Sequence, residues 1–141
     1  MMTSTPFKTA QDLDFLQVYL ITDFMRVGKS RFLGALEEAL QGGVGSLQLR
    51  EKSMDPKDLL KLALEVKSLV HRYDAKLFIN DRADIAVMAG ADGVHLTEAS
   101  VQASEVKNNF PDFIVGVSTH SLEGARLAET QGADFITFSP I

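Results

Sequence analysis

The chain has 141 residues, no cysteine and a formal net charge of −5, with 45% hydrophobic and 23% charged residues. That length and balance suit one globular domain with a sizeable core. They argue against a disulfide framework, thiol chemistry, a nucleic-acid surface or a membrane span, because there is no cysteine, no basic run and no long apolar stretch. A cytoplasmic protein is expected, and residues 1–17, without an apolar run of signal-peptide type, read as an N-terminal leader.

Strand-length apolar runs then alternate with helical patterns. The first strand is Val18 to Thr22, ending at Asp23. Helical spacing follows at Phe32, Leu33, Leu36, Ala39 and Leu40, and Gly42-Gly43 stop that helix. The second strand, Val44 to Leu49, runs into Gln48-Leu49-Arg50-Glu51-Lys52. Asp55-Pro56 reads as N-cap and first residue of a helix that keeps Leu59, Leu62, Ala63, Val66, Leu69 and Val70 on one side. The third strand is Lys76 to Asn80, followed by a short helix from Arg82 to Ala89. The fourth strand is Gly93 to Leu96, and a helix at Ala103–Asn109 ends before Pro111. The fifth strand is Phe113 to Ser118, Ser121 caps a helix to Gln131, and the sixth strand is Phe135 to Phe138.

The turns Gly43-Val44-Gly45, Gly90-Ala91-Asp92 and Gly132-Ala133-Asp134 vary one theme, with first glycines 47 and 42 residues apart. Such a period suits a repeated βα unit and a parallel sheet. Polar residues collect at the carboxyl ends of the strands: Asp23, Arg50, Lys52, Asn80, Asp81, Thr97, Glu98, Ser118, His120 and Ser139. Ligands of parallel α/β sheets and barrels bind at that end.

Strand alternation puts Gln48, Arg50 and Lys52 on one face, opposite Leu47 and Leu49. Two cations and an amide suit a phosphate or pyrophosphate, though a solvated strand end has the same pattern. Asp81 is a candidate magnesium ligand or, with Asp84 three residues on, a helix cap. Ser118 and His120 face the same way, with Gly116 leaving space beneath. His120 is either an acid–base group near neutral pH or a solvated loop histidine. His95 and His71 read as structural or exposed. No zinc spacing, serine-hydrolase triad or glycine-rich nucleotide loop is present.

Four segments in order carry a family resemblance: Gln48-Leu49-Arg50-Glu51-Lys52, Ile79-Asn80-Asp81-Arg82, Gly90-Ala91-Asp92-Gly93-Val94-His95-Leu96 and Gly116-Val117-Ser118-Thr119-His120-Ser121. Together with Tyr19-Leu20-Ile21-Thr22-Asp23 and Phe135 to Ile141, they resemble thiamine-phosphate synthase and its relative, thiazole tautomerase. The resemblance implies an α/β TIM (β/α)8-barrel family, here about six βα units of parallel sheet, with a partial barrel domain at 18–141. It implies a transferase that joins an aminopyrimidine pyrophosphate to a thiazole phosphate with release of pyrophosphate, using Mg2+. On that analogy Gln48, Arg50, Lys52, Asn80 and Ser118 contact the pyrophosphate substrate, and Asp81 holds the metal. Ser118 and His120 are the groups nearest the chemistry.

Two features depart from the family. Thr97-Glu98-Ala99-Ser100 replaces a segment in which Ser100 stands where a second metal-binding Asp is expected, so Glu98 is expected to substitute as ligand. The chain also reaches Ile141 after six strands, whereas a barrel of eight takes about 200 residues or more. A shortened barrel whose open edges favour self-association is therefore expected. The alternatives are a thiazole tautomerase using His120 for proton transfer, a non-catalytic phosphate-binding fragment, or an unrelated phosphate-binding barrel.

Overall fold

The computed structural model describes residues 10–140. Of the leader expected at 1–17, residues 1–9 lie outside the described part, and Ala10–Leu16 forms a 3-10 helix. Six strands follow: β1 (Tyr19–Ile21), β2 (Ser46–Leu49), β3 (Lys76–Asn80), β4 (Gly93–Leu96), β5 (Ile114–Thr119) and β6 (Phe135–Phe138). The helices are α1 (Phe24–Val27), α2 (Lys29–Gln41), α3 (Pro56–Arg72), α4 (Ala83–Ala89), α5 (Ala103–Asn109) and α6 (Leu122–Thr130). All strand pairs are parallel, in the order β1-β2-β3-β4-β5-β6.

The caps act as their residue types predict. Asp55 accepts from the Asp58 amide at 2.9 Å, with Pro56 at the first helical position. Ser121 accepts from the Gly124 amide at 3.0 Å. Asp23 caps the four-residue α1, which the sequence pattern did not announce because one turn shows no periodicity.

The recurrent Gly-Ala-Asp turn has one physical job. Asp92 gives its amide to the Leu77 carbonyl and takes the Leu77 amide on its carboxylate at 2.7 Å. Asp134 does the same with Val115, accepting at 2.8 Å. Each aspartate thus locks the start of its strand to the neighbouring strand. A helix residue completes each clamp: His71 Nε2 lies 2.8 Å from Asp92, and Lys107 Nζ 2.9 Å from Asp134.

Two apolar layers result. The outer face of the sheet, including Leu47, Leu77, Ile79, Val94 and Val115, packs on Phe32, Leu36, Val66, Val70, Ile85 and Ala86 of the helices. Burying each such large side chain contributes about 1.5–3 kcal/mol. The inner face is aromatic. Tyr19 on β1 and Phe135 on β6 have ring centroids 5.7 Å apart. In a flat sheet the first and sixth strands would stand about 24 Å apart. The sheet must therefore curl around its inner face, the curvature of a partial barrel. Phe78 fills the interior between them, 5.6 Å from Tyr19 and 5.5 Å from Phe135. Phe15, from the segment expected as a leader, stacks on Phe78 at 6.1 Å.

Close approach explains two strand glycines. A Cβ on Gly93 would come within 2.0 Å of the Ile114 carbonyl oxygen, and one on Gly116 within 2.4 Å of the Phe135 ring. The space expected beneath Ser118 is therefore filled by Phe135.

Candidate functional site

At the carboxyl end of β2 the paired ladder stops at Leu49. Burial still alternates past that point, Leu49 and Glu51 being buried and Arg50 and Lys52 exposed. Gln48 is buried, whereas Arg50 and Lys52 are exposed. Glu51, between the two cations, is buried instead. Its carboxylate accepts from Thr22 Oγ1 at 2.5 Å and from the Phe24 amide at 3.0 and 3.1 Å. Thr22 Oγ1 in turn accepts from the Arg50 amide at 3.1 Å. The loops after β1 and β2 are thereby tied together, and Arg50 and Lys52 flank the tie. Neither makes an ion pair among the described residues.

Lys52 lines a cleft of about 380 Å³ with Glu51, Asn80, Asp81, Arg82, Thr97 and Ala99. Asn80 ends β3 on the inner face, where its register partner is His95. Asp81 has φ of 65°, a left-handed conformation that Asp tolerates better than most residues. That turn takes its carboxylate away from α4, whose N-cap is Arg82. The carboxylate accepts instead from Ser100 Oγ at 2.6 Å, and Ser100 Oγ lies 3.0 Å from Thr97 Oγ1. Asp81 is therefore a cleft group rather than a side-chain cap. Arg82 is engaged by Asp84 through two bonds of 2.9 and 2.8 Å, which raise its pKa and lower that of Asp84.

Glu98 does not join Asp81. It borders a separate groove beside α6, where a Cβ on Gly124 would come within 2.9 Å of Glu98 Oε1. Thr97 borders both spaces; Ser100 lines the groove with Glu98 and turns its hydroxyl toward Asp81. No group of three His, Cys, Asp or Glu side chains converges among the described residues. The oxygen donors at Asp81, Ser100 and Thr97 still suit magnesium. That ion is commonly held by one or two carboxylates, with water and substrate phosphate completing the shell.

A polar chain crosses the aromatic interior. Gln48 Nε2 donates to Tyr19 Oη at 3.2 Å, Tyr19 Oη lies 2.8 Å from His95 Nδ1, and His95 Nε2 lies 2.9 Å from Ser118 Oγ. His95 is 2% exposed, and burial lowers its pKa to about 4. Burial likewise raises the pKa of Tyr19. Ser118 thus has His95 as its partner. His120 is exposed beyond β5, with Nδ1 2.7 Å from the Ser139 carbonyl. The structure brings together Lys52, Asn80 and Asp81 around one cleft, and Gln48 and Ser118 within one chain of hydrogen bonds. Glu98 and His120 stand apart from both.

Tyr19, Glu51 and His95 were not singled out as site residues by sequence reasoning. A signal for His95 existed: it alternates with Gly93, so a small residue and a polar one share the inner face of an otherwise apolar strand. Glu51 gave none, because its carboxylate finds its partners across two loops.

The thiamine monophosphate synthase family matches this chain over residues 18–141. The candidate thiamine-phosphate synthase 2 of Aquifex aeolicus is 51% identical over 129 residues, which cover 92% of this chain and 69% of that protein. Thiamine-phosphate synthase of Desulfitobacterium hafniense is 40% identical over 125 residues, 88% of this chain and 60% of its own length. The structure of thiamine phosphate pyrophosphorylase from Pyrococcus furiosus superposes with a TM-score of 0.83 at 33% identity, covering 91% of this chain and 62% of that one. The chain thus spans roughly three-fifths to two-thirds of the length of these relatives. By this match and by its curled parallel sheet, the chain belongs to the thiamine monophosphate synthase family.

Proposed function

We propose that the chain forms the pyrophosphate-binding part of an enzyme that joins an aminopyrimidine pyrophosphate to a thiazole phosphate, yielding thiamine phosphate and pyrophosphate. The observation that carries this reading is the cleft in which Lys52, a cation with no ion-pair partner among the described residues, faces Asn80 and Asp81 from a neighbouring strand end. Breaking the bond to pyrophosphate concentrates negative charge on the departing oxygens, and catalysis consists largely of holding and neutralising that charge. Lys52 supplies a mobile point charge and the exposed Arg50 a planar fork. Asn80 supplies amide donors, and Ser118 a hydroxyl. The tie from Glu51 to Thr22 and Phe24 fixes the backbone from which both cations project.

Asp81, with Ser100 beside it, is the protein contribution to a magnesium site. When bound there, a magnesium ion would supply positive charge to neutralise the departing pyrophosphate. The tautomerase alternative calls for neither metal nor pyrophosphate, and its proton-transfer group, His120, is engaged by the Ser139 carbonyl.

Thermal unfolding with magnesium and inorganic pyrophosphate tests the reading. Ligand at a hundred times its Kd stabilises the folded state by about 2.7 kcal/mol. The Tm should rise only when both are present, and Asp81→Ala and Lys52→Ala should each abolish the rise. A Tm indifferent to both ligands in the unaltered chain would sink the proposal.

A further inference from the structure

The polar chain of the interior has a direction, and the direction follows from which atoms can donate. Gln48 Nε2 has only hydrogens to offer, so Tyr19 Oη accepts from it. Tyr19 then has its single proton left, and the partner in reach among the described residues is His95 Nδ1 at 2.8 Å. A neutral imidazole that accepts at Nδ1 carries its proton at Nε2. His95 Nε2 therefore donates to Ser118 Oγ at 2.9 Å. Thr137 Oγ1 also points at Ser118 Oγ, but from 3.4 Å, beyond ordinary hydroxyl contact. Ser118 Oγ, a recipient from His95, keeps its own proton. No described residue accepts it. His95 is 2% exposed and so meets these partners away from solvent. The rings of Phe78 and Phe135 pack on Tyr19, and Phe135 packs on His95 at 5.8 Å, which confines both polar side chains to this geometry.

We propose that Tyr19 and His95 are positioning residues that commit the Ser118 hydroxyl to donate its proton outward, to an oxygen of a pyrophosphate group bound at the strand ends. The inference rests on the function proposed above for its ligand, but not for its direction. With the opposite polarity, Nδ1 would carry the proton, Ser118 would spend its hydrogen on His95 Nε2, and a lone pair would face the anionic ligand.

The first test needs no altered interior. In 15N-labelled protein at neutral pH, two-bond 15N–1H correlations report which ring nitrogen of each histidine is protonated. His71→Gln and His120→Gln, both outside the interior, assign the His95 signals by elimination. A protonated Nε2 with a bare Nδ1 supports the relay. A protonated Nδ1, or a doubly protonated ring, overturns it.

The second test measures magnesium pyrophosphate affinity by calorimetry in Tyr19→Phe, Ser118→Ala and the double variant. Tyr19→Phe keeps the packed ring and removes the hydroxyl, which both donates to His95 and accepts from Gln48. Loss of one oriented hydrogen bond should weaken binding about tenfold in each single variant. The double variant should be no weaker than Ser118→Ala, because both act through one hydroxyl. Additive losses, or a Tyr19→Phe protein that binds as the unaltered one does, overturn the positioning role. A chain that shows no pyrophosphate binding at all overturns the proposed function and this ligand assignment, while the histidine proton still decides the direction of the relay.

Discussion

Replacing Asp134 by alanine is the sharpest test of how this sheet is held. The Asp134 side chain is only 4% exposed, and it serves two buried donors, the Val115 amide at 2.8 Å and Lys107 Nζ at 2.9 Å. Removing one partner of a buried charge pair typically costs about 3–5 kcal/mol. Lys107 is 19% exposed and keeps its bond to the Phe113 carbonyl at 2.9 Å, so it relaxes partly into water. The stranded Val115 amide has no such escape, because Val115 is fully buried. The loss should therefore sit near the lower bound, about 3 kcal/mol. With a urea m-value of about 1.5 kcal/mol/M, the unfolding midpoint drops by roughly 2 M at unchanged slope. Asp92 makes the same backbone clamp, but its side-chain partner, His71, is 37% exposed and rehydrates. Asp92→Ala should thus cost less, about 1–2 kcal/mol. Asp134→Asn, which keeps an acceptor for the amide, should fall between Asp134→Ala and the unaltered chain. A midpoint shift under about 0.5 M for Asp134→Ala, or a larger shift for Asp92→Ala, would refute the reasoning.

The other predictions concern the interior. His95 has an ordinary pKa of about 6.5 when unfolded and about 4 when folded, so acid favours the unfolded chain. Its contribution is complete above pH 6.5 and is lost as pH falls toward 4, with a total near 3 kcal/mol. Urea midpoints at pH 7.5 and 4.5 should show a smaller acid penalty in His95→Gln than in the unaltered chain; equal penalties would count against a buried neutral imidazole. Gly116→Ala meets a side-chain ring and Gly93→Ala a backbone carbonyl. Both should destabilise by about 2 kcal/mol or more. Phe135→Leu should recover part of the Gly116→Ala loss, whereas Phe78→Leu should not recover Gly93→Ala, as a double-mutant cycle would read.

Much of this protein is local in origin, and to that extent it was legible in the residues. Alternating apolar runs and helical spacing placed β3, β4, β6 and α5 at their observed limits, because periodicity depends only on a residue's near neighbours. Asp55-Pro56 and Ser121 announced their helices for the same reason. The repeated Gly-Ala-Asp turn implied a repeated unit, and polar residues at successive strand ends implied a ligand face. Tertiary structure decided everything that depends on which strand lies beside which, and on where a chain points once it leaves a strand. Tyr19 and His95 are 76 residues apart and meet only because the sheet curls. Asp81 and Glu98 lie just past strand ends, where two-residue alternation no longer governs direction. Curl and register put Gln48 and His95 in a buried relay, a left-handed turn aimed Asp81 at Ser100, and the loop after β4 set Glu98 against α6. Those directions come from packing summed over distant segments, and no window of sequence contains them.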